Sequence, residues 1–190
     1  MQYRTDKDEL YKILSIWNSF IKKKVHLIAC GGTALTLIDI KESTKDVDFI
    51  LPVEHEYRYL IRILSEIGYE RTTGSGWAKD EGFIFDLFLG KSIFTTELLE
   101  SPLKEGNNFQ IREFSFIYLG ILNYYDLIIS KLFRGSPVDI DDCKTLFFNK
   151  EKEIDIQKLK ARFIETSSYD ISDERIKKNL ACFLREINKE

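Results

Sequence analysis

The chain has 190 residues, 44% hydrophobic and 31% charged, and its 28 basic and 31 acidic side chains give a net charge of −3. Its 14 Phe and 9 Tyr exclude a disordered chain, and only 3 Pro and 10 Gly exclude collagen-like and low-complexity classes. Three unevenly spaced cysteines (Cys30, Cys143, Cys182) cannot build a paired disulfide framework and lack a C-x-x-C zinc spacing, which points to a reducing compartment. The charge balance argues against a broad nucleic-acid-coating surface, though not against local basic patches.

No apolar stretch follows the first charged residues, so the N-terminus does not read as a signal peptide. The longest apolar run, Phe114–Leu122, is about half a membrane span. A soluble, cytoplasmic chain without a membrane partner is expected. In chain order, Thr5-Asp6-Lys7-Asp8 reads as an N-cap with an acid three residues on. It opens a helix with Leu10, Ile13, Leu14, Trp17 and Ile21 on one stripe, closed by Lys22, Lys23 and Lys24 at the negative end of the dipole. Val25–Cys30 predicts a strand, Gly31-Gly32 a break, Thr33–Ile40 a helix, and Asp46–Leu51 a second strand stopped by Pro52. Glu54–Ile67 predicts a helix ended by Gly68 as a C′ glycine. Strands are expected over Tyr69–Thr73 and Gly82–Leu89 around a Gly74-Ser75-Gly76 turn, with further strand-like sequence over Phe109–Leu119. Helical spacing then dominates Asn123–Arg134, Pro137–Asn149, Asp155–Ser167 and Ser172–Asn188. Together these give an α+β lobe, residues 1–119, followed by a helical lobe, residues 120–190.

Chemistry concentrates in two segments. In Asp46-Val47-Asp48-Phe49-Ile50-Leu51 the strand period turns Val47, Phe49 and Leu51 to one face and both carboxylates to the other. Two acids about 7 Å apart repel unless neutralised, and hard oxygen ligands suit Mg²⁺. Asp86 sits alone within the apolar run Phe83–Leu89, a costly place for a charge. If its strand lies beside the first, three acids converge as a two-cation phosphoryl-transfer site requires. Upstream, Gly31-Gly32-Thr33 lies between strand and helix, where backbone amides and a hydroxyl can meet a phosphate.

Gly31-Gly32, thirteen intervening residues and Asp46-Val47-Asp48-Phe49 resemble the nucleotidyltransferase signature, with Asp86 in the place of that superfamily's third catalytic carboxylate. The wording around Gly31-Gly32-Thr33-Ala34-Leu35 is most similar to minimal nucleotidyltransferase-like proteins, including toxins of the AbiEii type. The resemblance implies a polymerase-β-like mixed sheet with flanking helices and a C-terminal helical lobe closing on the nucleotide. It implies transfer of a nucleoside monophosphate from an NTP to a hydroxyl of RNA, of a tRNA end or of a protein, with an antitoxin as a further partner. Asp46, Asp48 and Asp86 would be the catalytic residues and the ligands of two Mg²⁺, or of Mn²⁺ in their place. Gly31, Gly32, Thr33, Lys131 and Asp142 would bind the nucleotide. The alternative is a non-catalytic nucleotide-binding regulatory module of the same fold.

Plainer readings stand beside these. Asp86 could pair with a buried cation, and Lys131 could equally be a snorkelling surface lysine. Ser136-Pro137-Val138-Asp139 is helix-start chemistry. Cys30 is a small apolar strand-end residue, and His26 and His55 have no spaced partner. The lysine run is most simply a solvated helix end.

Overall fold

The computed structural model describes residues 4–80, 83–169 and 173–188. Nine strands are present among them: β1 Val25–Ala29, β2 Val47–Leu51, β3 Glu70–Arg71, β4 Gly76–Ala78, β5 Phe85–Leu89, β6 Ser92–Ile93, β7 Thr96–Glu97, β8 Asn108–Glu113 and β9 Ile117–Leu122. Seven α-helices accompany them: α1 Lys7–Phe20, α2 Gly31–Leu37, α3 Glu54–Glu66, α4 Tyr124–Arg134, α5 Pro137–Asn149, α6 Ile156–Ser167 and α7 Asp173–Ile187.

One mixed sheet runs in the order β3-β4-β5-β2-β1-β9-β8, and β6-β7 form a separate hairpin. The β2-β5 and β1-β9 pairs are parallel, whereas β1-β2 is antiparallel. All five residues of β2 are buried. The expected division into a core face and an acid face is therefore too simple, since Ile50 is buried as well as Val47, Phe49 and Leu51. A central strand covered on both sides reads as a continuous apolar run, and a lone carboxylate within it needs a specific environment.

α1 buries Leu10, Leu14 and Trp17 as its stripe predicts, but it starts one residue later than expected. Asp6, not Thr5, caps it by accepting from the Glu9 amide at 2.9 Å, while Thr5 exchanges two backbone hydrogen bonds with Thr44. The helix stops at Phe20, so Lys22–Lys24 follow it and do not close its dipole. α3 ends as expected, the Gly68 and Tyr69 amides returning to the Ser65 and Leu64 carbonyls.

Gly76 begins a strand where only a turn was expected, and the segment over Phe109–Leu119 resolves into two antiparallel strands, β8 and β9. The hairpin β6-β7 gave no sequence signal, each strand being two residues long. β9 runs on to Leu122, so the step into the helical region falls at Asn123, the side-chain cap of α4. The Ser136–Asp139 capping box is present with Pro137 in the first turn. The expected strand start at Gly82 and helix start at Ser172 lie outside the described residues. Among the described residues, no helix is long and apolar enough to cross a membrane.

Candidate functional site

The site grows from the pairing of β2 with β5. These strands run parallel with Asp48 opposite Asp86, which puts both side chains on one face of the sheet about 4.8 Å apart along the hydrogen-bonding direction. Asp46 lies two residues before Asp48, just ahead of β2, and is exposed. Asp48 is 5% exposed, and its Oδ1 is buried without a hydrogen-bond partner among the described residues. Burial first, then the charges of Asp86 and Asp46, push its carboxyl up to about 7, against the pull of Arg134 and Lys131. Asp86 is half-buried and accepts from the Ser75 hydroxyl at 2.7 Å.

The Gly31-Gly32-Thr33 segment is shaped around Asp48. Gly31 has φ +56°, and a Cβ there would come within 2.5 Å of Asp48 Oδ2. At Gly32 a Cβ would come within 2.6 Å of Thr44 Oγ1. Only glycine meets both demands at Gly31, the left-handed backbone and the close approach. The Thr33 hydroxyl is fully buried, accepting from the Asp48 amide at 2.9 Å and donating to the Asp46 carbonyl at 3.2 Å. Thr44 Oγ1 donates to that carbonyl at 2.8 Å. In this arrangement Thr33 positions the two acids through their backbone, with no hydroxyl left facing the cleft for the phosphate contact expected of it. Cys30 is fully buried, and burial pushes its thiol well up, as fits a packed strand end.

The helical region supplies the opposing charge. Lys131 is 3% exposed, so the snorkelling reading fails; its Nζ donates to Asp142 Oδ2 at 2.6 Å and lies 3.5 Å from Asp139 Oδ1. Asp142 also accepts from Lys41 at 2.8 Å. Arg134 grips Asp139 through two nitrogens. Burial alone would raise the Asp139 carboxyl, but hydrogen bonds from Arg134 and Ser136 and the charges of Arg134 and Lys131 hold it down at about 2.

A cleft of about 330 Å³ joins the two sets, within the usual range for small-molecule sites. Gly32, Asp46, Asp48, Lys131 and Asp142 line it together with Arg4, Lys41, Lys45, Arg134, Phe94 and Val138. Gly31 and Asp86 adjoin it through their contacts with Asp48. A larger cavity of about 570 Å³ lies beyond the β6-β7 hairpin, between Lys91, Glu97, Arg162 and Tyr169. None of the candidate acids borders it.

Sequence reasoning did not single out Lys41, Arg134, Phe94 or Ser75. Lys41 and Asp142 are 101 residues apart, and nothing local betrays such a pairing. For Arg134, the capping sequence around Asp139 was the available clue, since a buried N3 acid calls for a cation.

Among the described residues no group of three or more His, Cys, Asp or Glu is arranged as a ready metal site. The donor set nevertheless suits Mg²⁺, which is commonly held by one or two carboxylates plus waters and substrate phosphates. The unpartnered Asp48 Oδ1 and the carboxylates beside it supply such donors.

The profile of the family described as "Nucleotidyltransferase of unknown function (DUF6036)" matches residues 109–190. No curated protein matches the chain by sequence. The crystal structure of ANT(2")-Ia in complex with adenylyl-2"-tobramycin is similar at a TM-score of 0.54 and 15% identity, over 84% of this chain and 95% of that one. The structure of the TM1012 protein from Thermotoga maritima gives 0.48 and 15%, over 80% and 98%. An antigenic nucleotidyltransferase-like protein from Paracoccidioides brasiliensis gives 0.45 and 13%, over 92% and 95%. The fold is that of ANT(2")-Ia, a mixed sheet with flanking helices as the sequence motif led one to expect. The matched profile lies downstream of the Gly-Gly and Asp-x-Asp motif, in a different part of the chain.

Proposed function

We propose that this chain transfers a nucleoside monophosphate from an NTP to a hydroxyl acceptor and releases pyrophosphate. The observation that carries the reading is Asp48 buried opposite Asp86, with an unpartnered oxygen, in a cleft whose other wall holds Lys131 and Arg134. Burying two neighbouring carboxylates is unfavourable in itself, and divalent cations compensate for it.

Asp46, Asp48 and Asp86 would hold two Mg²⁺, or Mn²⁺, which when bound would neutralise the phosphate oxygens and lower the pKa of the acceptor hydroxyl. The acceptor oxygen attacks the α-phosphorus, the bond from that phosphorus to the bridging oxygen breaks, and pyrophosphate leaves. Asp86, oriented by Ser75, receives the acceptor proton. Lys131 and Lys41, both held by Asp142, set positive charge against the triphosphate. Gly31 makes room for the Asp48 carboxylate and Gly32 for the Thr44 hydroxyl, and the backbone of this turn would border the phosphates beside the acids.

The acceptor classes are an RNA or tRNA end, a protein hydroxyl and a small molecule. The small molecule joins the set because the ANT(2")-Ia structure holds an adenylylated compound. A toxin role, with an antitoxin partner, is the biological setting proposed for the same chemistry.

The test incubates the protein with each α-labelled NTP, Mg²⁺ and, separately, total RNA, a protein extract and a small-molecule extract. Label should reach one acceptor class and vanish in Asp46→Ala/Asp48→Ala. Transfer that survives the double substitution sinks the site. Tight Mg-NTP binding with no product on any acceptor favours the non-catalytic module. Growth arrest on expression that a neighbouring gene product relieves supports the toxin role, and harmless overexpression counts against it.

A further inference from the structure

The cleft has two features that its phosphate chemistry does not use. Phe94 is 51% exposed and Val138 is 60% exposed, and both line the same polar cleft as Asp46 and Asp48. They come from different elements: Phe94 from the β6-β7 hairpin, Val138 from the first turn of α5. The Phe94 ring is held in place. Its centroid lies 4.7 Å from that of Phe88 in an edge-on arrangement, and the Arg134 guanidinium carbon is 5.4 Å from it.

Its backbone is the second observation. Phe94 occupies the two-residue turn between β6 and β7 and has φ +50°. Such turns favour Asn, Asp or Gly because they need a left-handed backbone, and a bulky residue there is strained. Either Gly or Asn would satisfy the turn. A phenylalanine costs the fold stability and adds an apolar ring, beside Val138, to a cleft walled mostly by charged side chains. Backbone strain of this kind belongs to functional positions.

We propose that Phe94 is the nucleobase platform of the cleft. The base of the bound NTP stacks on the Phe94 ring with Val138 bordering it, while the triphosphate lies toward Lys41, Lys131 and the acids. The inference rests on the nucleotidyl-transfer reading and adds to it where the base binds and how selective the site is. Stacking on an aromatic ring accepts every base because each has a π face. The platform supplies affinity without base preference, and no polar side chain is required beside it.

The experiment measures binding by titration calorimetry in Mg²⁺ of ATP, GTP, CTP and UTP, and of inorganic triphosphate, which lacks the base. The proteins are the wild type, Phe94→Ala, Phe94→Trp and Phe94→Asn. Phe94→Ala and Phe94→Asn should weaken ATP binding about tenfold or more, leave triphosphate binding unchanged, and weaken GTP, CTP and UTP by similar factors. Phe94→Trp should keep ATP affinity. Asn tolerates the left-handed turn, so the melting temperature of Phe94→Asn, read beside its triphosphate affinity, shows that a loss of ATP binding is not a loss of fold.

ATP affinity unchanged in Phe94→Asn, or equal losses for ATP and triphosphate, overturns the platform and leaves nucleotidyl transfer standing. A wild type that binds neither the nucleotides nor triphosphate overturns both readings.

Discussion

Replacing Asp48 by Asn should make the protein more stable and inactive at once. In the folded protein its carboxyl is pushed up to about 7 from an ordinary 3.8. Keeping it ionised at pH 8 therefore costs about 4 kcal/mol relative to the unfolded chain. Asn removes the charge but leaves an amide short of partners, at about 1–3 kcal/mol. The net expectation is a gain of about 1–3 kcal/mol, or roughly 2–4 °C of melting temperature per kcal/mol for a chain of this size.

The sign of the pH dependence follows from the direction of the shift. The folded value lies above the unfolded one, so the contribution is fully present below about pH 4 and is lost as pH rises through 7. Calorimetric melts in EDTA at pH 5 and pH 8 should show the variant's advantage growing with pH. Saturating Mg²⁺ at pH 8 should raise the wild type and leave Asp48→Asn where it was. A variant that melts below the wild type at pH 8 with the same pH slope would refute the reasoning.

Other substitutions separate the parts of the site. Gly31→Ala places a Cβ within 2.5 Å of Asp48 Oδ2 on a left-handed backbone; it should cost about 2 kcal/mol or more and abolish labelling, read by melts and the transfer assay. Asp142→Asn leaves buried Lys131 with only Asp139 at 3.5 Å; chemical denaturation should show a loss of about 3 kcal/mol. Ser75→Ala removes the hydrogen bond to Asp86 and should lower kcat up to about tenfold with KM for the NTP unchanged, as loss of one modest hydrogen bond implies.

What could be read ahead of the structure follows contact range. Asp46, Asp48 and Asp86 were legible because a period of two and a charge inside an apolar run are local signals. The Gly31 requirement was legible as a strand-to-helix break, but its cause, the Asp48 carboxylate packed against it, was not. Lys131 and Asp142 came only through resemblance, because a helical lysine at the edge of a polar arc does not reveal a partner eleven residues on. Lys41 and Phe94 were illegible for physical reasons. Lys41 depends on a contact across 101 residues, and the Phe94 hairpin has strands too short for alternation to register.

The pairing of β2 with β5 also bears on how the chain finds its own alignment. Hydrophobic patterning fixes a strand's register by penalising the face that would turn to water. β2 lacks that penalty, since all five of its residues are buried. Its alignment is held instead by a few polar ties, the Asp48 amide on Thr33 and the Cys30 amide on the Asp48 carbonyl. A slip of one residue against β5 would carry Asp48 away from Asp86 to the opposite face and relieve their repulsion. A divalent cation held by both acids, as proposed, would reverse that preference by favouring the one alignment in which the carboxylates share a face. If the acids hold Mg²⁺ as proposed, refolding with Mg²⁺ present would improve the fidelity of strand pairing.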